Sequence, residues 1–383
     1  MPEGDRSASG GLSTSGLGHY NRRVDLKALN RATLARQLLL RRERLPVDAA
    51  VHRLLALQAQ LPRPPVVGLW TRLEGLDRQA VARLFESRAL VRGTTMRGTL
   101  HVMTAGDYLA FRACLQPGLD AGLRAILRER ATALDMIALG RTAEAYLKKP
   151  HNFEQIRAHL VAAYPGGDER AMGYAVRMAL PLVQVPGAGP WAFPAQADFV
   201  SAKAWLGKAP APCSSPDRLI LRYLGALGPA TVKDAESWLG LGGLAPAFDR
   251  LRPQLVVVGG TARAPLYDLP DAPRPDGDVP APIRFLPEWD SVVVTRADER
   301  VVSRAHRPRV FLPGLRVAAL VLVDGFAVAS WNVTRTRKIA TLTIEPFSAV
   351  PKRLASELKA EGESLLTFVE PDAVTYEIQV TGA

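Results

Sequence analysis

Two hydrophobic periods alternate along the chain. Leu29, Leu34, Leu38 and Leu39, then Val47, Val51, Leu54 and Leu55, recur at helical spacing on either side of the basic turn Arg41-Arg42-Glu43-Arg44, which predicts paired helices. Pro62, Pro64 and Pro65 then break the pattern, residues 66–73 are apolar, and a helix is predicted over 77–86. Extended runs follow at 90–91 and 99–103. Helix, helix, helix, hairpin is the order of a winged-helix unit. Thr104 is placed to cap a further helix through Asp107 and Phe111, and a Leu-, Ala- and Arg-rich helical stretch reaches Lys148.

A similar order recurs twice. From Asn152, helices are predicted around Phe153, Ile156 and Leu160 and over 172–180, followed by chain folded around Pro186-Gly187-Ala188-Gly189. From Pro216, helices are predicted over 219–227, from Thr231 to 239 and over 246–251, and 255–258 pairs with 265–269 across Gly259-Gly260. Residues 270–282, dense in Pro and Asp, read as a linker. Beyond them lie short β-rich runs at 283–286, 292–294, 310–312, 318–323, 327–331 and 340–344, with Asp324-Gly325 as a hairpin turn. A helix over 351–361 and runs at 366–369 and 376–380 complete the pattern. The expected fold class is α+β: tandem winged-helix units with a C-terminal β-rich, barrel-like element. The expected divisions are a flexible N-terminus (1–25), a first unit with a helical extension (26–148), a second (149–210), a third (211–270), the linker (271–282) and the β-rich element (283–383).

Charge adds a partner. The formal net charge is +12, carried by 40 arginines and nine lysines. A GC-rich genome accounts for arginine in place of lysine, but not for the excess of basic over acidic residues; a positive surface attracts phosphate, and arginine grips it bidentately. Cys114 and Cys213 form no C-x-x-C pair, so neither a zinc site nor a disulfide is predicted and both read as small core residues. The six histidines lack ligand spacing and no dense Asp/Glu cluster exists, so neither metal nor cofactor is expected. With no apolar run of signal-peptide or membrane-span length, the protein is expected in the cytoplasm, without a membrane partner.

The candidate chemistry is sparse. Gln58 and Gln60 stand where prolines bias the chain toward extended geometry, and in extended chain residues i and i+2 point the same way. Two neutral amides on one side can hold a water; the alternative is a pair of solvated glutamines at a helix end. Arg335, Arg337 and Lys338 fall between two predicted strands, as a basic hairpin tip suited to a groove or to phosphates, or as a solvated loop. His101 ends a predicted strand and reads as structural, or as approaching the cleft. Asp290 reads as a helix cap, or as orienting a catalytic group. Trp70, Trp191, Trp205 and Trp238 are expected to fill cores.

Gln58-Ala59-Gln60 with Pro62, Gly68-Leu69-Trp70 and Arg72, then Arg97-Gly98-Thr99-Leu100-His101, Leu286-Pro287-Glu288-Trp289-Asp290, Leu322-Val323-Asp324-Gly325 and Thr341-Leu342-Thr343-Ile344-Glu345-Pro346, resemble signatures of the AlkZ/YcaQ DNA glycosylases. The resemblance runs from about residue 28 to 380. It implies tandem winged helices and a catalytic Gln58-x-Gln60, similar to the branch that unhooks azinomycin-type interstrand crosslinks. It further implies a monofunctional glycosylase, acting as a monomer on duplex DNA and excising N7-alkylguanine and related cationic lesions, with bulky adducts and crosslinks as further candidates. No Schiff-base lysine stands at the motif, which disfavours lyase chemistry. The rival readings are a non-catalytic winged-helix regulator, which is usually a dimer on a palindromic site, and a drug-sequestering protein, for which a basic channel has no purpose.

Overall fold

The computed structural model describes residues 25–131, 135–189, 191–295, 298–348 and 352–381; the N-terminal segment expected to be flexible lies, up to residue 24, outside them. Asp25 caps α1 (Leu26–Arg36), accepting from the Lys27 N–H. Helix α2 (Val47–Leu54) stops at Leu55, whose φ of 67° turns the chain into the short strand β1 (Leu57–Gln58). The prolines that follow open a helix. Pro64 and Pro65 sit in the first turn of α3 (Arg63–Trp70), where a missing N–H removes no hydrogen bond. Helix α4 (Arg78–Glu86), capped by Asp77, leads to the antiparallel strands β2 (Leu90–Thr94) and β3 (Leu100–Thr104).

Thr104 caps α5 (Ala105–Phe111) as its position predicts. Helices α6 (Gln116–Leu127), α7 (Met136–Tyr146), α8 (Phe153–Ala163) and α9 (Glu169–Ala179) share a core of Leu119, Leu123, Leu139, Leu160, Met172 and Val176. Strands β4 (Leu182–Gln184) and β5 (Phe199–Ser201), from the stretch read as a second unit, extend the first sheet in the order β1-β3-β2-β4-β5. The joint is Gly93 opposite Val183, where a Cβ on the glycine would lie 2.8 Å from the Leu182 carbonyl. After α10 (Ala202–Leu206) come α11 (Asp217–Leu227), α12 (Val232–Leu239) and α13 (Ala245–Leu251), packed through Tyr223, Trp238 and Phe248, and the antiparallel ribbon of β6 (Val256–Thr261) and β7 (Ala264–Asp268). One expectation is overturned here. Cys114 and Cys213 form a disulfide, because the chain after α5 and the chain before α11 lie side by side, with 5.0 Å between the two Cα atoms; a separation of 99 residues gave no hint of it.

Residues 271–282 hold neither helix nor strand and run along α1, where Arg31 Nε donates to the Val279 carbonyl at 2.6 Å. The C-terminal part follows as β8 (Arg284–Leu286), α14 (Ser291–Val294), α15 (Arg307–Val310), β9 (Phe311–Leu312), β10 (Arg316–Val317), β11 (Leu320–Val323), β12 (Phe326–Thr336), β13 (Ile339–Pro346), α16 (Ala355–Val369) and β14 (Thr375–Val380). Two runs read as strands are helical: 292–294 lies in α14, and 366–369 ends α16. The main sheet has the order β14-β13-β12-β11-β8. The barrel-like expectation is corrected as well, for among the described residues this sheet stays open. Helix α16 packs through Leu358, Leu365 and Leu366 on one face, with Val321, Trp331, Leu342 and Ile344; Leu34 and Leu39 pack on the other, with Leu286, Leu320 and Leu322. Around β11 both faces are thus covered without closure, since alternate residues of a strand point to opposite faces, whereas β12 and β13 bury one face only.

The turn Asp324-Gly325 joins β11 to β12 with both φ values positive, 48° and 83°, the geometry of a two-residue hairpin. Helix α1 docks on it: Asn30 Nδ2 donates to the Gly325 carbonyl at 2.8 Å and an Arg31 guanidinium nitrogen to the Asp324 carbonyl at 2.9 Å. No described helix is long and apolar enough to cross a membrane.

Candidate active site

Strand β1 is an edge strand, paired with β3 through Leu57 opposite Val102 and Gln58 opposite His101. The ladder continues one residue further, since the Ala59 N–H donates to the Leu100 carbonyl at 2.7 Å. Leu57 and Ala59 are buried in the core beneath the first sheet. Gln58 is 9% exposed and Gln60 lies at the surface. Both amides meet the same short segment. Gln58 Oε1 accepts from Arg97 Nη2 at 2.9 Å, and Gln60 Oε1 accepts from the Leu100 N–H at 3.0 Å. A guanidinium and a backbone N–H can only donate, so the amide atoms facing them are the oxygens, and both amide orientations follow from chemistry. Each amide keeps two N–H donors and one carbonyl lone pair for a water or a substrate. Arg92 clamps the motif's backbone from behind, its Nε donating to the Ala59 carbonyl at 2.9 Å and its Nη2 to the Gln60 carbonyl at 3.1 Å.

The surroundings are cationic. Arg177 Nη2 donates to the Gly98 carbonyl at 3.2 Å, and among the described residues no carboxylate pairs with Arg92, Arg97 or Arg177. Burial pushes the Arg92 guanidinium down to about 10, with Arg177 adding to it, and burial does the same to Arg97, so both stay protonated at neutral pH. His101 is 1% exposed; burial, then the charge of Arg97, drives it down to about 3. Its Nδ1 lies 3.0 Å from Thr95 Oγ1. It is a neutral histidine buried in the core.

Residues 287–291 pass the other side of the motif. Ser291 Oγ donates to the Ala56 carbonyl at 3.3 Å, and Arg63 Nη2 meets Glu288 Oε1 at 2.9 Å, while Glu288 Oε2 is buried without a hydrogen-bond partner. Asp290 serves as a cap, accepting from the Val292 N–H at 3.2 Å, and also receives both terminal nitrogens of the buried Arg72 at 2.8 Å. Both tasks are structural.

The basic tip is a hairpin end, as its position predicts. Residues 337–338 join β12 to β13, with Arg337 at a φ of 55°. The three cations differ. Arg335 is folded back, donating to Glu370 Oε2 and to the Asp372 carbonyl, each at 2.9 Å. Arg337 and Lys338 are exposed, and no acid pairs with either among the described residues. The tip and the glutamine motif belong to different sheets. Of the tryptophans, Trp70 and Trp238 are buried, whereas Trp191 and Trp205 are half-buried beneath the guanidinium groups of Arg78 and Arg88.

The family model described as "DNA glycosylase AlkZ-like" matches residues 51–368, a span that includes the glutamine pair, the arginines around it and the hairpin. The chain belongs to the AlkZ-like DNA glycosylases. An interstrand DNA cross-link repair glycosylase of Streptomyces sahachiroi is 26% identical to this AlkZ-like chain over 368 residues, covering 87% of it and 95% of the relative. The solved structure of the Streptomyces sahachiroi DNA glycosylase AlkZ superposes with a TM-score of 0.77, over 94% of this chain and 100% of that one, at 19% identity; the fold is shared. In this AlkZ-like glycosylase, reasoning from sequence singled out the two glutamines but missed Arg92, Arg97 and Glu288. Arg97 and Glu288 stood inside quoted motifs, where nothing local marks a partner 39 or 225 residues away.

Proposed function

We propose that the chain hydrolyses the N-glycosidic bond of cationic alkylated purines in duplex DNA, leaving an abasic site, with Gln58 and Gln60 holding the attacking water. The observation that carries this reading is the orientation of the two amides, each with its oxygen engaged by an internal donor and its remaining donors and lone pair unused by the protein. A purine alkylated at N7 or N3 already bears positive charge and departs as a neutral molecule. What remains for the enzyme is to orient water and to oppose charge developing on the sugar. Neutral amides supply the first, and the remaining carbonyl lone pairs assist the second. A protonating acid is dispensable for such a leaving group, and His101 cannot act as one.

The helix–helix–helix–ribbon order of α11–β7 and the helices preceding β2 and β3 support a reading as winged-helix units that embrace one duplex; we further propose that the chain acts as a monomer in the cytoplasm. Arg337 and Lys338 are placed to touch phosphate or a groove, and Arg335 to brace them. The name of the Streptomyces relative extends the proposed substrates to interstrand crosslinks, and we infer bulky adducts as further candidates.

Incubation of the pure protein with methylated duplex DNA, and separately with random operator libraries, tests the proposal. Abasic sites labile to heat or alkali are expected, with little release of uracil or 8-oxoguanine. Selection of one sequence with all bases intact marks a regulator instead, and rapid uracil release contradicts the mechanism.

A further inference from the structure

Arg97 lies in the turn between β2 and β3 at φ 56° and ψ 18°, a left-handed conformation that a long side chain seldom adopts. Three elements meet around it. Its Nη2 donates to Gln58 Oε1, its Nη1 donates to the carbonyl of Trp238 at the end of α12, and Gly240 beyond α12 lies so close that a Cβ there would fall 2.9 Å from the Arg97 nitrogen. Gly118 in α6 backs Gly240 in turn, since a Cβ on Gly118 would come within 1.9 Å of the Gly240 oxygen. The arginine is therefore wedged between the glutamine strand and a helix more than 130 residues further along the chain. No carboxylate compensates its charge among the described residues, and a half-buried charge held only by neutral acceptors is costly.

The cost has a function if the charge is aimed. A glutamine amide has a broad, two-fold torsion and left alone presents either end. A guanidinium donor removes that choice, because it binds the oxygen and repels the NH2 group; the bond is charge-assisted and polarises the amide so that its N–H groups donate more strongly. Gln60 receives the same service from a backbone N–H, which is neutral.

We propose that Arg97 is the positioning residue for Gln58: it fixes the amide with its oxygen on the guanidinium and its NH2 group turned away, left for water or substrate, and ties that orientation to the end of α12. The inference rests on the glycosylase reading of the glutamine pair. It distinguishes Arg97 from a phosphate contact, which acts on DNA affinity, and from a structural residue, which acts on stability.

The test uses the full chain with Arg97→Met, which keeps length but no donor, and Arg97→Lys, which keeps charge and one donor group, each alone and combined with Gln58→Ala. Single-turnover release of N7-methylguanine from a duplex oligonucleotide, DNA affinity against salt, melting temperature and the side-chain amide spectrum of 15N-glutamine-labelled protein are measured. Arg97→Met is expected to slow release about 10- to 100-fold at unchanged salt dependence, and Arg97→Lys to recover part of it. In the Gln58→Ala background, Arg97→Met should cost less than about 3-fold, since both act through one group. The Gln58 amide resonances, assigned by their loss in Gln58→Ala, should move toward the free-glutamine position in Arg97→Met while those of Gln60 stay. Unmoved Gln58 resonances overturn the proposal. So do an equal loss in both backgrounds, a flattened salt dependence at unchanged saturated rate, and a rate loss matched by melting in both variants. A wild type that releases no base overturns the glycosylase reading and with it the role in release, and the amide spectrum then still decides whether Arg97 holds Gln58.

Discussion

The glutamine strand and the basic hairpin tip are both cationic neighbourhoods, and they are built in opposite ways. Around Gln58 and Gln60 the cations point at neutral oxygens of the protein, are buried (Arg92) or half-buried (Arg97 and Arg177), and lack carboxylate partners among the described residues. At the tip one cation is tied to Glu370 while the next two face solvent. A charge inside a low-dielectric wall can orient a dipole with little competition from water, whereas a charge on an exposed loop is screened within about 10 Å and contributes mainly to attraction. The first region is constructed for orientation and the second for capture, so substitutions in the two should separate rate from affinity.

The sharpest break of that contrast comes from the motif. Gln58→Ala and Gln60→Ala should each slow single-turnover release of N7-methylguanine by roughly 30- to 1,000-fold, the equivalent of about 2 to 4 kcal/mol, with DNA affinity almost unchanged; the melting temperature should hold in Gln60→Ala and drop in Gln58→Ala, which leaves Arg97 Nη2 without its acceptor. The effect should be larger at Gln58, whose amide is buried and held by a charged donor. The double alanine variant should lose less than the product of the singles, because both amides address one water. Gln60→Asp should retain part of the activity; its carboxylate can also hold water, although it meets the Leu100 N–H as an ion. Wild-type rates in both alanine variants place the chemistry elsewhere.

A smaller effect of a different kind is expected at the tip. Replacing Arg337 and Lys338 together by glutamine should reduce the slope of log affinity against log salt by roughly 2, at an unchanged rate under saturating protein. Arg335→Ala should instead destabilise by less than about 1 kcal/mol through the loss of Glu370, which denaturant titration can resolve from binding. Equal salt slopes for the tip variant and the wild type would remove the hairpin from the DNA interface.

The smallest expected effect on release is that of pH around the usual histidine range. His101 is held well below its ordinary value, so the release rate should show no inflection near 6.5 from this residue. Stability behaves otherwise. Because the folded form resists protonation while the unfolded form accepts it near 6.5, the contribution of the neutral, buried ring is complete above that pH and is lost as pH falls toward 3. Urea midpoints between pH 8 and 4 should therefore fall for the wild type and fall less for His101→Gln.

Much of the fold could be read from local pattern, and less of the candidate site. The helical spacing of Leu29 and Leu34 and of Val47 to Leu54 marks α1 and α2, while Leu38 and Leu39, read with the first helix, lie beyond its end; Asp324-Gly325 marks its hairpin because two adjacent positive φ values suit few other pairs. The prolines after Gln60 were ambiguous, since the residue that ends one element also fits the first turn of the next. Pairings across long separations were illegible: strands β4 and β5 extending the first sheet, Cys114 with Cys213, and Arg97 with both Gln58 and Trp238 depend on tertiary closeness that no periodicity records. The motif stood out by composition, whereas the donors that orient it are a backbone N–H and an arginine among 40.

The docking of α1 on the Asp324-Gly325 turn has a consequence for synthesis. Asn30 and Gly325 are separated by 295 residues, so the first described helix leaves the ribosome long before the surface that buries it exists. At ordinary elongation rates of about 5 to 20 residues per second, the wait is roughly 15 to 60 s. Throughout it Leu34, on a helix of 11 residues too short to persist alone in water, and Leu39, just beyond that helix, lack the surface that covers them. The nascent chain therefore carries an uncovered apolar segment until its last third emerges.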